Sequence, residues 1–389
     1  MGPCPASAGR PRFDIAEIVR QHRAELEAEH WLNATERRVL TAIAQCRTAA
    51  LGGHVEVCRS CGHEQPAYNS CRNRHCPKCQ CLAQERWIAA RSERLLPVRH
   101  FHVVFTLPSE LRALCRRWPR VLFEALFHCA SETLLELGQS RLGATLGVTM
   151  VLHTWTRDLR FHPHVHAIVT AGGLGQDGEW RNVKDYLFPV VVMGQLLRGK
   201  MLDRLRRIHR RGGLRAASEL DDPQALDRLL AKLAQASWLV YAKRPFRRVE
   251  HVLGYLGRYT HRVAISNGRL VSVTAHTVTF RTKAGKTHAV TPVEFLRRFV
   301  QHVLPDGFKK IRHYGLYAGT NEPKLEHARS RWAADAAPPA ERVPARTWQE
   351  WLRELTGRDV ERCPRCGGVL ERIPLDRRTA RGPPLAEAA

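Results

Sequence analysis

Apolar residues recur at helical spacing near the beginning of the chain and alternate with polar residues in several later segments. Two helices are predicted between Phe13 and Ala50, where the apolar positions follow a period of about 3.6 residues. The alternation typical of strands occurs in five segments: 99–107, 147–155, 164–170, 238–243 and 262–290. The last of these contains Asn267-Gly268, a dipeptide that favours a hairpin turn. With further helices at 249–259 and 292–303, we expect a mixed sheet with covering helices.

Positive charge dominates the composition. The 62 Lys and Arg residues exceed the 37 Asp and Glu residues, which gives a formal net charge of +25 and an isoelectric point near 10.3. A protein with this excess attracts polyanions, and nucleic acid is the commonest of them. A membrane surface is the alternative partner, but the chain has no long uncharged apolar run. We therefore expect a nucleic-acid-binding protein that is not associated with a membrane.

Two cysteine pairs form a compact module near the N-terminus. The first residues lack the apolar segment of a secretory signal, so we expect a reducing cytoplasm, where the 12 cysteines are metal ligands or buried thiols rather than disulfides. Cys58-x-x-Cys61 and Cys76-x-x-Cys79 each have the spacing of a tight turn that presents two thiolates to one zinc ion. Four thiolates fill a tetrahedral shell, which predicts a structural Zn²⁺ site.

Additional donors leave the number of zinc ions open. Cys71, His75 and Cys81 lie close to the two pairs, and either one or two zinc ions are compatible with this number of ligands. A third pair, Cys363-x-x-Cys366, lies near the C-terminus with no partner pair after it. Half of a zinc ribbon and a plain cysteine-containing turn explain that pair equally well.

Three alternating histidines occur in one predicted strand, at positions 162, 164 and 166. Residues i and i+2 of a strand share a face, so these imidazoles point away from Val165 and Ala167, which face the opposite layer. Two imidazoles on one face suit a divalent cation with positions left for substrate oxygens. A solvated polar face with incidental histidines is the alternative. His164 and His166 are the predicted ligands because a proline sets His162 apart, and no third ligand is identifiable.

Two tyrosines share one face of a predicted helix, because Tyr255 and Tyr259 are four residues apart. Such a pair usually packs into a core. Here Gly254, Gly257 and Arg258 make the face polar and permissive, which favours exposed phenols. Beside a divalent cation, each phenol is a nucleophile that can attack a phosphodiester and form a phosphotyrosine bond.

Basic residues are concentrated in three of these segments and are predicted to contact DNA. Positive side chains in clusters neutralise phosphates without reading sequence. The candidates are Arg72, Arg74, Lys78, Arg204, Arg206, Arg207, Arg210, Arg211 and Arg258.

The zinc module, the histidine strand and the tyrosine helix, in that order, resemble the rolling-circle transposases of bacterial insertion sequences, the two-tyrosine branch of the HUH endonuclease superfamily. The likeness covers roughly residues 13–330 and rests on six segments: NSCRNRHCPKCQ (69–80), FTLP (105–108), HPHVHAIVTAGGL (162–174), YLGRYTHRVAIS (255–266), EFLRRF (294–299) and HVLPDGFKKIRHYG (302–315). It implies an α+β fold: an HUH-type nuclease domain with an antiparallel sheet core and covering helices, plus a small N-terminal zinc-binding module. It also implies Mg²⁺ or Mn²⁺ at His164 and His166, and 5′-phosphotyrosine intermediates at Tyr255 and Tyr259.

Three regions are expected within the 389 residues. They are a helical and zinc-binding DNA-recognition region (13–95), the HUH transposase domain (96–330) and a flexible C-terminal region with the Cys-x-x-Cys knuckle (331–389). The expected partners are the single-stranded ends of a mobile element, its target DNA and the host replication machinery, in a bacterial cytoplasm at the nucleoid.

Two other functions share some of these features. A zinc-dependent DNA-binding protein without nuclease activity would have the same charge and cysteine module. A rolling-circle replication initiator or relaxase would have the same strand and helix signatures, but the chain lacks a helicase motif. The sequence does not indicate which tyrosine reacts first, whether both react, or the oligomeric state.

Overall fold

A computed structural model describes residues 11–92, 94–214, 224–246, 252, 263–283, 285–333 and 347–375, except for the side chains of residues 80, 81, 332 and 333. These residues divide into two compact units. The first takes the described residues of Met1–Arg86, His261–Val303 and Glu341–Ala389, and the second takes those of Trp87–Thr260 and Leu304–Ala340.

The strands and helices are numbered in chain order. The strands of the described residues are β1 (Gly53–Cys58), β2 (Glu64–Tyr68), β3 (His100–Thr106), β4 (Ala144–Trp155), β5 (Phe161–Gly175), β6 (Trp180–Asn182), β7 (Val240–Phe246), β8 (Leu270–Val273), β9 (Val278–Arg281), β10 (Thr287–Val290), β11 (Ile311–Gly315) and β12 (Leu370–Leu375).

The described helices are α1 (Ile15–Glu29), α2 (Ala34–Gln45), α3 (Gln80–Ser92), α4 (Arg112–Arg117), α5 (Pro119–Leu142), α6 (Val190–Arg210), α7 (Ala225–Gln235), α8 (Pro292–Val300), α9 (Glu322–Ala333) and α10 (Trp348–Thr356). None of them combines the length and apolar character that a membrane-spanning helix needs.

An antiparallel sheet forms the centre of the second unit. Its strand order is β11-β4-β5-β3-β7, and β6 pairs with the far end of β5. Helices α4, α5 and α6 pack on one face of this sheet, and α7 packs against α6. The prediction of a mixed α/β protein with antiparallel sheets is therefore confirmed.

Alternating burial gives the sheet two different faces. On β5, Val165 and Ala167 belong to the large apolar core beneath the helices, as do Phe101 and Val103 on β3. The residues that alternate with these along each strand face the other side of the sheet. On that side, Ile168 contributes to a second, smaller apolar cluster. The predicted alternation of the histidine strand thus exists, and it directs the imidazoles away from the main core.

Strand β5 continues beyond the predicted end at residue 170. Gly172, with φ +136°, has a backbone conformation that other residues rarely adopt, and a Cβ at this position would lie 2.4 Å from the carbonyl oxygen of Arg181. Glycine therefore allows β6 to pair closely with β5, and the strand continues to Gly175.

In the first unit, α1 packs against α8. Asp14 caps α1 by accepting the Ala16 N–H at 3.0 Å, and the Asn267 side-chain oxygen accepts the Ile15 N–H at 3.2 Å. Asn267 belongs to a 3₁₀ turn just before β8, so the predicted hairpin turn at Asn267-Gly268 is wrong. Because of these contacts, β8, β9, β10 and α8 belong to this unit, although they fall within the range expected for the nuclease domain.

The described part of the C-terminal region contains a helix and a strand. Residues 347–375 include α10 and β12, and β12 pairs with β1 in the three-stranded sheet β12-β1-β2. Antiparallel hydrogen bonds over six residue pairs, from Gly53–Leu375 to Cys58–Leu370, hold this strand against the N-terminal module.

Candidate metal centres and DNA-contacting residues

Three clusters of side chains among the described residues have the composition of metal sites. In each, the ligating nitrogen or sulfur atoms all lie within 4.8 Å of one another. One cluster is made of histidines in the second unit, and two are made of cysteines in the first. Their members are His153, His164 and His166; Cys46, Cys71, Cys76 and Cys79; and Cys58, Cys61, Cys363 and Cys366.

The histidine cluster lies on the two central strands β4 and β5. His153 is directly opposite His164 in the antiparallel register, and His166 follows on the same face of β5. The ring centres are 4.3–5.5 Å apart. His164 and His166, the sequence-predicted ligands, are therefore adjacent, and His153 supplies the third donor that the sequence did not identify.

Hydrogen bonds to the other ring nitrogens orient two of these imidazoles. His164 donates its Nδ1–H to the carbonyl oxygen of His162 at 2.7 Å, so its Nε2 carries the lone pair. His166 Nδ1 lies 2.8 Å from Nε2 of His102 on the neighbouring strand β3. If His166 donates in this bond, its Nε2 also carries the lone pair. Partners of this kind hold metal-binding histidines in the tautomer that binds the ion.

Burial keeps His164 and His166 neutral at physiological pH. Removal of the rings from water lowers the pKa of His164 to about 4 and the pKa of His166 well below its usual value, with a further contribution from the neighbouring His164 charge. The pKa of His102 is lowered to about 4 by burial and by Lys243. Neutral imidazole is the form that binds metal ions, so His164 and His166 are ready as ligands without loss of a proton.

His162 is placed beside the cluster. Its ring centre lies 5.2 Å from that of His164, and its contribution to the site is the carbonyl oxygen that accepts the His164 N–H. It therefore contacts a candidate ligand without being one of the three clustered donors.

The cysteines are grouped differently from the sequence prediction. Cys58 and Cys61 do not join Cys76 and Cys79, because the strand pairing of β1 with β12 brings Cys363 and Cys366 to them instead. The expected set of Cys58, Cys61, Cys76 and Cys79 is therefore divided between two clusters.

Cys76 and Cys79 are joined by Cys71, one of the additional predicted donors, and by Cys46, which the sequence reasoning missed. Cys46 immediately follows α2, and its Sγ lies 3.4 Å from Cys79 Sγ. Cys71 Sγ lies 3.6 Å from Cys79 Sγ. His75 is not a member of the cluster, and its Nδ1 is hydrogen-bonded to Asn73 Oδ1 at 3.1 Å. The side chain of Cys81 lies outside the described residues.

The sulfur separations fit zinc. A tetrahedron with Zn–S bonds of about 2.3 Å has edges of about 3.8 Å, close to the separations in this cluster. A disulfide would need sulfurs about 2.05 Å apart. The cluster of Cys46, Cys71, Cys76 and Cys79 therefore has the geometry of a structural zinc site with a shell of four thiolates.

The predicted DNA-contacting residues of α6 lie in its last turns and just after it. Arg206, Arg210 and Arg211 are exposed, Arg204 is half-buried, and Arg207 pairs with Asp203 at 2.5 Å. In the cysteine module Arg72 is exposed and Arg74 is half-buried, whereas Lys78 pairs with Asp14 at 2.5 Å. Tyr255, Tyr259 and Arg258 lie outside the described residues.

Comparison with family models gives matches for both parts of this arrangement. A model described as "Putative transposase" matches residues 147–324, which contain the histidine cluster. A model described as "Transposase zinc-binding domain" matches residues 18–107, which contain the cluster of Cys46, Cys71, Cys76 and Cys79.

Two curated relatives align along most of the chain. "Putative transposase y4qJ" of Sinorhizobium fredii (strain NBRC 101917 / NGR234) is 42% identical over 368 residues, which cover 91% of this chain and 92% of the relative. "Transposase for insertion sequence element IS801" of Pseudomonas savastanoi pv. phaseolicola is 31% identical over 344 residues, which cover 83% of this chain and 81% of the relative.

Proposed function

Because the chain belongs to the transposases of insertion sequences, we propose that it cuts and rejoins single strands of DNA with a divalent cation bound at three histidines: His153, His164 and His166. The observation that carries this proposal is the three-imidazole cluster on the central strands of an antiparallel sheet. An HUH-type nuclease fold is the arrangement that this sheet supports best. A bound Mn²⁺ or Mg²⁺ would polarise a phosphodiester and stabilise the charge that develops on its oxygens.

The surface next to the cluster suits a single strand. On the neighbouring edge strand β7, Tyr241 is 56% exposed and Lys243 is exposed, and both lie on the histidine face, opposite Val104 and His102. Trp155 stacks on His153 with ring centres 4.6 Å apart. Single-stranded DNA is bound by aromatic side chains that stack on bases and by cations that contact phosphates.

Tyr255 and Tyr259 are the proposed nucleophiles. In the cleavage step a phenolic oxygen bonds to phosphorus, the bond from phosphorus to the 3′ oxygen breaks, and that oxygen leaves as a hydroxyl after taking up a proton. The DNA 5′ end is then joined to tyrosine. Attack by another 3′-hydroxyl reverses the exchange, so strand transfer needs no nucleotide cofactor, and two tyrosines allow two ends to be held in rolling-circle transposition.

The cysteine module is proposed to recognise the ends of the element, and the basic residues of α6 to bind phosphates. Target DNA and the host replication machinery are the further proposed partners, in a bacterial cytoplasm at the nucleoid. Affinity for DNA that depends on these arginines should fall steeply with salt, because each phosphate contact releases condensed counterions.

The decisive experiment uses labelled single-stranded DNA from the ends of the element, incubated with the full-length protein and Mn²⁺ or Mg²⁺. We expect a protein–DNA adduct that survives denaturation and that disappears in the double variant Tyr255→Phe/Tyr259→Phe. The single variants Tyr255→Phe and Tyr259→Phe would show whether each tyrosine forms an adduct or only one of them does. Tyr186→Phe is the matched control, because this tyrosine is 60% exposed and lies outside the proposed site.

The metal ligands are tested on the same substrate. His164→Ala and His153→Ala should abolish or strongly reduce cleavage while salt-sensitive DNA binding persists, since binding depends on distributed Lys and Arg charge. His276→Ala, at an exposed histidine, should cleave normally. Cleavage that persists in the double tyrosine variant would refute the nucleophiles, and binding without any cleavage by the unaltered protein would favour a non-catalytic DNA-binding function.

A further inference from the structure

We infer that a second structural zinc ion joins two distant parts of the chain into one zinc ribbon, at Cys58, Cys61, Cys363 and Cys366. The match to the transposase zinc-binding domain ends at residue 107 and so contains only the first pair of these cysteines. The site is independent of the proposed nuclease chemistry, because neither its ligands nor its metal belongs to the histidine cluster.

The four sulfurs have the spacing of a zinc shell. Cys58 Sγ lies 3.5 Å from Cys366 Sγ, and Cys61 Sγ lies 3.7 Å from Cys363 Sγ, although the members of these pairs are 308 and 302 residues apart in sequence. A tetrahedral Zn–S₄ site has sulfur separations of about 3.8 Å. Both distances are far too long for a disulfide, whose sulfurs are about 2.05 Å apart.

The two pairs are presented by the same backbone turn. After the first pair, the Gly62 N–H donates to the Cys58 carbonyl at 2.9 Å with φ +69°, and after the second pair the Gly367 N–H donates to the Cys363 carbonyl at 2.9 Å with φ +74°. Both glycines have the left-handed conformation that this turn requires. Each end of the chain therefore contributes one zinc knuckle of the form Cys-x-x-Cys-Gly.

Strand pairing brings these knuckles together. In the register of β1 with β12, Cys58 lies opposite Leu370, so both turns are at the same end of the sheet, and Leu370 packs in an apolar cluster with Cys58 and Cys363. Arg358 contributes a further contact, since it pairs at 2.5 Å with Glu56, a carboxylate only 4% exposed. The fold thus brings four thiols to one point.

Zinc explains why four thiols converge in this way. The four thiolates fill the shell and leave no position for a substrate, so the site is structural. Metal binding to such a shell adds directly to the free energy of folding. The expected role of the site is to make residues 347–375 an integral part of the N-terminal module.

The test is the zinc content of the purified full-length protein, measured by elemental analysis after removal of loosely bound metal. We expect two zinc ions per chain. Cys363→Ser/Cys366→Ser should retain one, and Cys46→Ser/Cys71→Ser, which breaks the other cluster, should also retain one. Cys115→Ala/Cys129→Ala is the matched control: it removes two buried thiols that belong to neither cluster, and it should keep two.

A conservative variant separates loss of a ligand from failure to fold. Cys366→His replaces an exposed sulfur by another zinc donor and should keep two zinc ions. Substitution by Co²⁺ gives a second readout, because the thiolate-to-cobalt absorbance of the unaltered protein should fall by about half in Cys363→Ser/Cys366→Ser. One zinc per chain in the unaltered protein, or two in that double variant, would overturn the inference, whatever the outcome of the nuclease assay.

Discussion

Replacing His102 by phenylalanine should weaken Mn²⁺ binding at the histidine cluster without removing a ligand. His102 is 2% exposed, and its Nε2 lies 2.8 Å from His166 Nδ1. To bind a cation through Nε2, His166 must carry its proton on Nδ1 and donate it to His102. Phenylalanine keeps an aromatic ring in this buried position but removes the acceptor.

The size of the effect follows from this hydrogen bond. A buried donor that loses its acceptor costs about 1–3 kcal/mol. The cost falls mainly on the metal-bound state, where the ion fixes the tautomer of His166, whereas the metal-free ring can shift its proton. We therefore expect the dissociation constant for Mn²⁺ to rise about 10–100-fold, which corresponds to roughly 1.4–2.7 kcal/mol.

Titration calorimetry with Mn²⁺ at pH 7.5 measures this change directly. His313→Phe is the matched control, since His313 is another histidine in the same sheet, hydrogen-bonded through Nδ1 to Thr149 Oγ1 at 3.0 Å rather than to a candidate ligand. His102→Gln restores an acceptor and should recover part of the affinity. If His102→Phe is folded and binds Mn²⁺ as tightly as the unaltered protein, His166 is not held as a ligand in the way inferred.

Two further predictions concern the stability of the second unit. Burial lowers the pKa of both His100 and His313 to about 4. Between about pH 6.5 and pH 4 the unfolded chain therefore binds protons that the folded chain does not. The free energy of unfolding should be highest above about pH 6.5 and should fall towards pH 4, by up to about 1.4 kcal/mol per pH unit for each histidine. Urea denaturation between pH 7.5 and 5 tests this, and His313→Phe should make the dependence shallower; an unchanged slope would contradict the assignment. Tyr317→Phe should cost roughly 2–6 kcal/mol, because the hydroxyl accepts the Leu96 N–H at 3.2 Å and is hydrogen-bonded to His100 Nε2 at 2.7 Å, and both groups are buried. The exposed Tyr186→Phe should change stability by less than about 0.5 kcal/mol, and equal effects of the two variants would refute the reasoning.

The histidine strand was predictable because its information is local. The alternation around Val165 and Ala167 is a property of β5 alone, and it is enough to assign the imidazoles to one face. His153 was not predictable in the same way. Its position opposite His164 depends on the register between β4 and β5, which shifts between His153 and Trp155, and no local pattern encodes that shift.

The cysteines illustrate the same limit more strongly. A second Cys-x-x-Cys pair close in sequence was the natural partner for Cys58 and Cys61, and a pair about 300 residues later offered no local reason to be chosen. What decides the partner is the pairing of β1 with β12, a contact between distant strands. Cys46 was not predicted for a related reason. It is 25 residues from Cys71, and neither cysteine belongs to a Cys-x-x-Cys pair that would mark it as a zinc ligand.

The chemistry of the donors also separates the two kinds of metal centre. Thiolates are soft ligands that select zinc, so the cysteine clusters should be filled first when zinc is scarce. The histidine cluster offers three nitrogens and, among its members, no carboxylate. Mg²⁺ prefers oxygen ligands in an octahedral shell, so a site with three imidazoles suits Mn²⁺ better than Mg²⁺. Under the proposed function, the missing oxygen ligands are those of the DNA phosphate itself. Binding of the cation and binding of DNA should then strengthen each other by the same factor, because the coupling free energy between two ligands is reciprocal.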